Sequence, residues 1–79
     1  MSITNAQING ALITQAQKDI LVACNSGSVP TATINACNIS LADKLLIDMV
    51  ENGSPTRMAI MASECSEPVK EILLAIAGL

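Results

Sequence analysis

No phenylalanine, tyrosine, tryptophan or histidine occurs anywhere in these 79 residues. Without aromatics, which bury the most area per side chain, a core must be built from Ile, Leu, Val, Met and Ala. A domain this short is already marginal on its core alone, so the composition points towards cover supplied by copies of the chain. Without histidine, Cys24, Cys37 and Cys65 lack the commonest base that activates a nucleophile, and an enzyme is not expected. Three dispersed cysteines with no CxxC pair cannot close a tetrahedral zinc site within one chain. Gly10, Gly27, Gly53 and Gly78 lie far apart, so no glycine-rich loop is available to cradle a phosphate. No catalytic, cofactor-binding or metal-ligating residue is expected.

Charge is scarce as well. Only 14% of residues are charged, seven acids against four bases, for a formal net charge of −3. Lys18, Lys44, Arg57 and Lys70 stand singly along the chain, whereas nucleic-acid binding draws on a basic face that displaces counterions. The same deficit argues against an anionic membrane surface. No run approaches the ~18 apolar residues of a membrane span. The stretch "LVAC" at Leu21–Cys24 matches a lipoprotein cleavage box, but Gln15, Gln17, Lys18 and Asp19 stand where its apolar core belongs. An odd, widely spaced set of cysteines is a poor disulfide framework and fits buried thiols in a reducing cytosol. The expectation is a cytoplasmic protein with no membrane span and no nucleic-acid partner.

What remains is apolar: 51% of the chain is hydrophobic, too much for disorder. The spacing predicts one domain over 1–79, all-α, as a bundle of three or four helices completed by self-association. A first helix is expected over Thr4–Cys24, stopped by Asn25-Ser26-Gly27-Ser28. Its apolar arc spans about 220°, against the ~100° stripe that one packing partner requires, so it calls for neighbours on two sides. The segment from Ser28 to Gly53 predicts one kinked helix, or two short ones if Ser40 and Asp43 act as a capping pair. Ser54-Pro55 supplies a start for a helix running to Ser63, and Ser66 ahead of Glu67-Pro68 opens a last one through Ala77, stopped by Gly78. Nothing alternates with period two for more than a few residues.

Paired carboxylates occur at Asp48 with Glu51 and Glu67 with Glu71, with Glu64 near both. Solvated helix faces account for such pairs. Met49, Met58 and Met61 cluster across the Gly53 corner; core filling is their expected role, an adaptable contact the alternative. The stretch from Leu41 to Glu64 could form a DNA-reading helix-turn-helix, yet Thr56 and Arg57 are followed mostly by apolar residues, whereas base readout needs several exposed polar side chains.

The opening "NAQINGALITQAQ" resembles the amino-terminal signature of the RebB-like family of R-body, or killing-trait, proteins. Asn5, Gln7, Ile8, Ala11 and Leu12 fall into its pattern, with Thr14-Gln15 one position late, and Gly27 and Pro30 match a Gly and Pro after the first helix. Met49-Val50, Ala59 and Ala62 match a later stretch, where Ser54-Pro55-Thr56 stand in place of the family's glutamines. The resemblance covers residues 3–63. It implies a small bacterial protein that polymerises with its own copies and related small helical proteins into a cytoplasmic ribbon that unrolls on acidification. In that setting Asp43, Asp48, Glu51, Glu64, Glu67 and Glu71 would carry the acid response, since close carboxylates repel when ionised. The expected function is that of a structural homo-oligomer or polymer. The alternatives are a small helical adaptor or regulator and, disfavoured by charge, a DNA-binding module.

Overall fold

The computed structural model describes residues 3–79 and places six helices along the chain: α1 (Asn5–Asn9), α2 (Gln15–Ser26), α3 (Thr31–Asn35), α4 (Leu41–Asn52), α5 (Arg57–Ala62) and α6 (Glu67–Ala77). No strand occurs among the described residues, and the all-α expectation holds. Each of the two expected long helices is in fact two. The first breaks at Gly10–Thr14: Thr4 builds a capping box at the start of α1 and Thr14 another at the start of α2, with Gln7 and Gln17 reaching back to the cap backbone. Two closed starts in succession outweigh the apolar periodicity that runs through the break. In the second region Ser40 accepts the Asp43 N–H and opens α4 afresh. Ser54-Pro55 does not start a helix; Thr56 caps α5 instead, accepting the Ala59 N–H. Ser66 and Gly78 bound α6 as expected. Gly78 adopts φ 74°, a left-handed value that favours glycine, and lets the Leu79 N–H reach the Leu74 carbonyl to close the helix.

The breaks expose an order in the chain. The helices come as three short–long pairs, and corresponding positions stand 26 residues apart. Thr14, Ser40 and Ser66 are the caps of the three long helices. Ile8, Ile34 and Ile60 are each wholly buried on the short helices. Ile20, Leu46 and Ile72, followed by Leu21, Ile47 and Leu73, form the buried stripe of the long helices. Lys18, Lys44 and Lys70 share one further position. The chain is three copies of one helical hairpin.

Such units usually stack in a row, each touching only its neighbours. Here the row closes. The third long helix, α6, packs on both α2 and α4. The first and second are tied by Gln17, whose Nε2 donates to Asp43 Oδ2 at 2.8 Å. The caps Thr14, Ser40 and Ser66 border one depression, so the long helices begin together around a pseudo-threefold axis. Further out, α1 borders α6 and α5 borders α4, through corresponding residues in the two cases. The result measures 27 × 26 × 22 Å. The arc of about 220° expected for one helix over Thr4–Cys24 dissolves with the break, since Ile8, Ala11, Leu12 and Ile13 lie outside α2. Helix α2 itself buries Ile20, Leu21 and Cys24, with α1 and α6 packed on it.

Each hairpin is also latched at its far end. Asn25 Nδ2 donates to the Ile3 carbonyl at 2.9 Å. In the second repeat Asn52 Nδ2 donates to the Val29 carbonyl and Glu51 Oε1 accepts the Val29 N–H. In the third, Arg57 Nη1 donates to the Leu79 carbonyl at 3.1 Å. In the first two repeats the end of the long helix holds the segment that leads into its own short one; in the third, the first residue of the short helix holds Leu79, just beyond the long one.

Candidate functional site

Three equivalent repeats have three equivalent outer faces, and differences between those faces separate packing from function. The inner face leaves little freedom, since apart from the position of Gln17, Asp43 and Val69 each repeat presents closely similar aliphatic side chains to the core. On the outer face of the long helices, repeat 1 carries Gln15 and Asp19 and repeat 3 carries Glu67 and Glu71. At the same two positions repeat 2 carries Leu41 and Leu45, which are 71% and 65% exposed. Neither is needed for the helix, since the other two repeats form it with polar residues there.

Leu41 and Leu45 form one wall of a groove of about 500 Å³ between α4 and α5, floored by Ala42, Leu46 and Met49 and faced by Ala59 and Ser63, with Glu64 at its margin. The corresponding groove, between α6 and α1, has Pro68, Ile72 and Ala75 at the matching floor positions and Glu71 at the wall position of Leu45. The backbone frame is shared, but in the second groove an acid sits where the first has Leu45. Helix α5 adds Met58 and Met61, 82% and 43% exposed, where the other repeats have Ala6 and Asn9 or Ala32 and Asn35. Core filling, expected for the clustered methionines, therefore applies to Met49 alone, which packs half-buried on the core. Met58 and Met61 face outwards because α5 turns its single core-facing position over to Ile60. Met1 lies outside the described residues.

The carboxylates do not gather. Asp48 accepts from Thr31 Oγ1 at 2.6 Å and from Asn52, and Glu51 serves the Val29 latch, both near the end of α4. Glu67 lies 3.7 Å from Lys70 Nζ, with most of its own side chain in solvent. Glu64 borders the axial depression together with Asp43. Asp43 is the one buried acid, 4% exposed, satisfied by Gln17 and standing where repeat 3 has Val69. Lys70 is buried too and donates to the Met61 carbonyl at 2.9 Å. Every buried side-chain polar atom among the described residues has a partner, so none of these groups awaits a ligand.

The three cysteines are free thiols. Burial above all, with Glu51 close by, pushes the Cys24 thiol up to about 12, and burial followed by a hydrogen bond to Asp43 pushes Cys65 up to about 11. Thiols held in their neutral form are poor nucleophiles. Cys37 is half-buried and donates to the Thr33 carbonyl. No cluster of metal-ligating side chains occurs among the described residues, and no described helix is long and apolar enough to cross a membrane. The feature that composition could not reveal is the polar-to-leucine exchange at 41 and 45, which becomes visible only once the repeats are laid over one another. Comparison with protein-family models, curated proteins and solved structures finds no match.

Proposed function

We propose that the protein is a structural component that works by self-association, with the outer face of the second repeat as the contact. The observation that carries this reading is the pair Leu41 and Leu45, exposed side by side on one helix at positions where both sister repeats are polar. Covering a leucine is favourable by about 1.5–3 kcal/mol, and several such residues together form a patch of the kind that marks an interaction surface. The sharpest form of the proposal is an R-body-like ribbon in the bacterial cytoplasm, supported by the resemblance of residues 3–63. Its acid response would fall to Asp43, Asp48, Glu51, Glu64, Glu67 and Glu71, and substituting them with Asn or Gln should blunt any difference between assemblies at neutral and acid pH.

A second reading is a helical adaptor, favoured by the groove between α4 and α5. Its aliphatic floor and small-residue wall suit an amphipathic helix from another protein. Light scattering and electron microscopy of purified chain separate the two. Self-association predicts particles whose mass grows with concentration, and a ribbon predicts regular polymers in the images. A chain that scatters as a single molecule at every concentration refutes the first reading and leaves the adaptor.

A further inference from the structure

Self-association can use one patch twice or two different patches, and the divergence of the repeats bears on which. Besides Leu41 and Leu45, one other leucine is conspicuously out of place. Leu12 is 93% exposed on the turn between α1 and α2, and the corresponding residues of the other repeats are Asn38 and Glu64. A side chain so fully in water contributes nothing to its own fold. It stands on a surface it shares with Lys18, whereas the α4/α5 groove ends at Glu64. The one acid–base pair among the described residues is Lys70 with Glu67, so neither Lys18 nor Glu64 has an ion-pair partner among them. On the side it shares with Lys18 the knob is therefore matched to the groove in polarity and opposite in charge, with Glu71 on its other side across the α1/α6 groove. They cannot meet within one molecule, because Leu12 borders the α1/α6 groove and the leucine-lined groove lies between α4 and α5.

We infer that the Leu12 turn of one copy seats in the α4/α5 groove of the next, with Lys18 of the first approaching Glu64 of the second. The contact is heterologous, head to tail, since the two surfaces differ. Each copy then offers one free knob and one free groove, so growth continues unless the ring closes. An isologous pairing of grooves would instead stop at two chains and would bring Glu64 against its own copy.

The inference rests on the self-association reading, and the test keeps the two apart. Two variants borrow residues that the sister repeats already hold at the same places: Leu12→Asn removes the knob, and Leu41→Gln with Leu45→Asp removes the groove wall. All three positions are exposed, and circular dichroism checks that both variants keep the helical fold. Sedimentation velocity is then run on wild type, each variant and their equimolar mixture. Wild type should grow in mass with concentration, and each variant alone should sediment as one chain. The mixture should give a species of two chains, because one intact knob and one intact groove remain. Variants that assemble as wild type does, or a mixture that stays at one chain, overturn the head-to-tail contact and leave self-association through another surface. Wild type that stays at one chain overturns both.

Discussion

The inner and outer faces of the repeat have had different histories within a single chain. Inside, Ile8, Ile34 and Ile60 are the same residue with the same complete burial, and Leu21, Ile47 and Leu73 differ only in where a methyl branches. Outside, the same register holds Gln15, Leu41 and Glu67, then Asp19, Leu45 and Glu71. The inner face is constrained by shape, because three hairpins meeting at an axis must interdigitate with one another. The outer face is constrained only by helix propensity and water, and there leucine has no structural reason to displace glutamine or glutamate. Closure thus accounts for the core and leaves the leucines of repeat 2 over. That remainder is what points to a partner.

The largest effects should come from the inner face, and they should be equal. Ile8→Ala, Ile34→Ala and Ile60→Ala should each cost about 2–5 kcal/mol, a large fraction of the 5–15 kcal/mol typical of a whole domain. Urea melts would show three similar shifts of the midpoint. If one of the three tolerates the change while the others unfold, the repeats are not equivalent in the way their burial implies.

Next comes the axis, where the repeats differ inside: Gln17, Asp43 and Val69 occupy one position. Asp43→Val alone should destabilise by about 1–3 kcal/mol, because it strands the amide of Gln17. Gln17→Val combined with Asp43→Val removes both partners of that bond and should cost less than the single change, what remains being the lost Gln17 arm of the capping box at Thr14. A double variant no better than the single one would show that Asp43 has a duty beyond Gln17, with the nearby Cys65 thiol the first suspect.

Caps should come third. Thr14→Ala and Ser40→Ala should each cost about 1 kcal/mol, whereas Ser66→Ala should cost less. The hydroxyls of Thr14 and Ser40 accept from the Gln17 and Asp43 N–H groups, while Ser66 makes no such bond and has Pro68 to fix the start of α6. Thermal melts of the three variants would rank them.

The effect that is smallest at neutral pH belongs to the buried thiols and shows only in alkali. Cys24 and Cys65 have folded-state values raised to about 12 and about 11 from an ordinary 9.0. A raised value means that the unfolded chain gives up the proton first. Their contribution is therefore intact below pH 9 and is lost progressively as pH rises towards 11 and 12. Replacing both with Ala should flatten the decline in stability across that window. In the native protein at neutral pH, a thiol reagent should reach Cys37 well before the other two; simultaneous labelling would mean that the buried pair is accessible through opening.

Much of this could be read in the residues and some could not. Ser66-Glu67-Pro68 and Gly78 bounded α6 because start and stop are local chemistry. The wide arc drawn over Thr4–Cys24 misled, because it summed α1 and α2, two helices that turn separate faces to the core. The break before Thr14 was equally present, as Thr-x-x-Gln spelled twice at Thr4 and Thr14, but an apolar period that continues through Gly10–Ile13 masks it. The repeat was harder still. Its positions match by class rather than identity, with Ser standing for Thr and Ile for Leu, and few besides Ile8, Ile34 and Ile60 or Lys18, Lys44 and Lys70 stay the same. Closure was not legible at all, since it depends on α2 meeting α6 across the whole chain. The leucines of the outer face were visible from the start but carried no meaning until their polar counterparts could be set beside them.

The most direct test compares sedimentation of the wild-type chain with that of Leu41→Gln/Leu45→Asp over a wide concentration range. The account predicts that wild type grows in mass as concentration rises while the variant, equally helical, remains a single chain. Two indistinguishable profiles would contradict it, because the helix face on which repeat 2 alone carries leucine would then have no part in assembly.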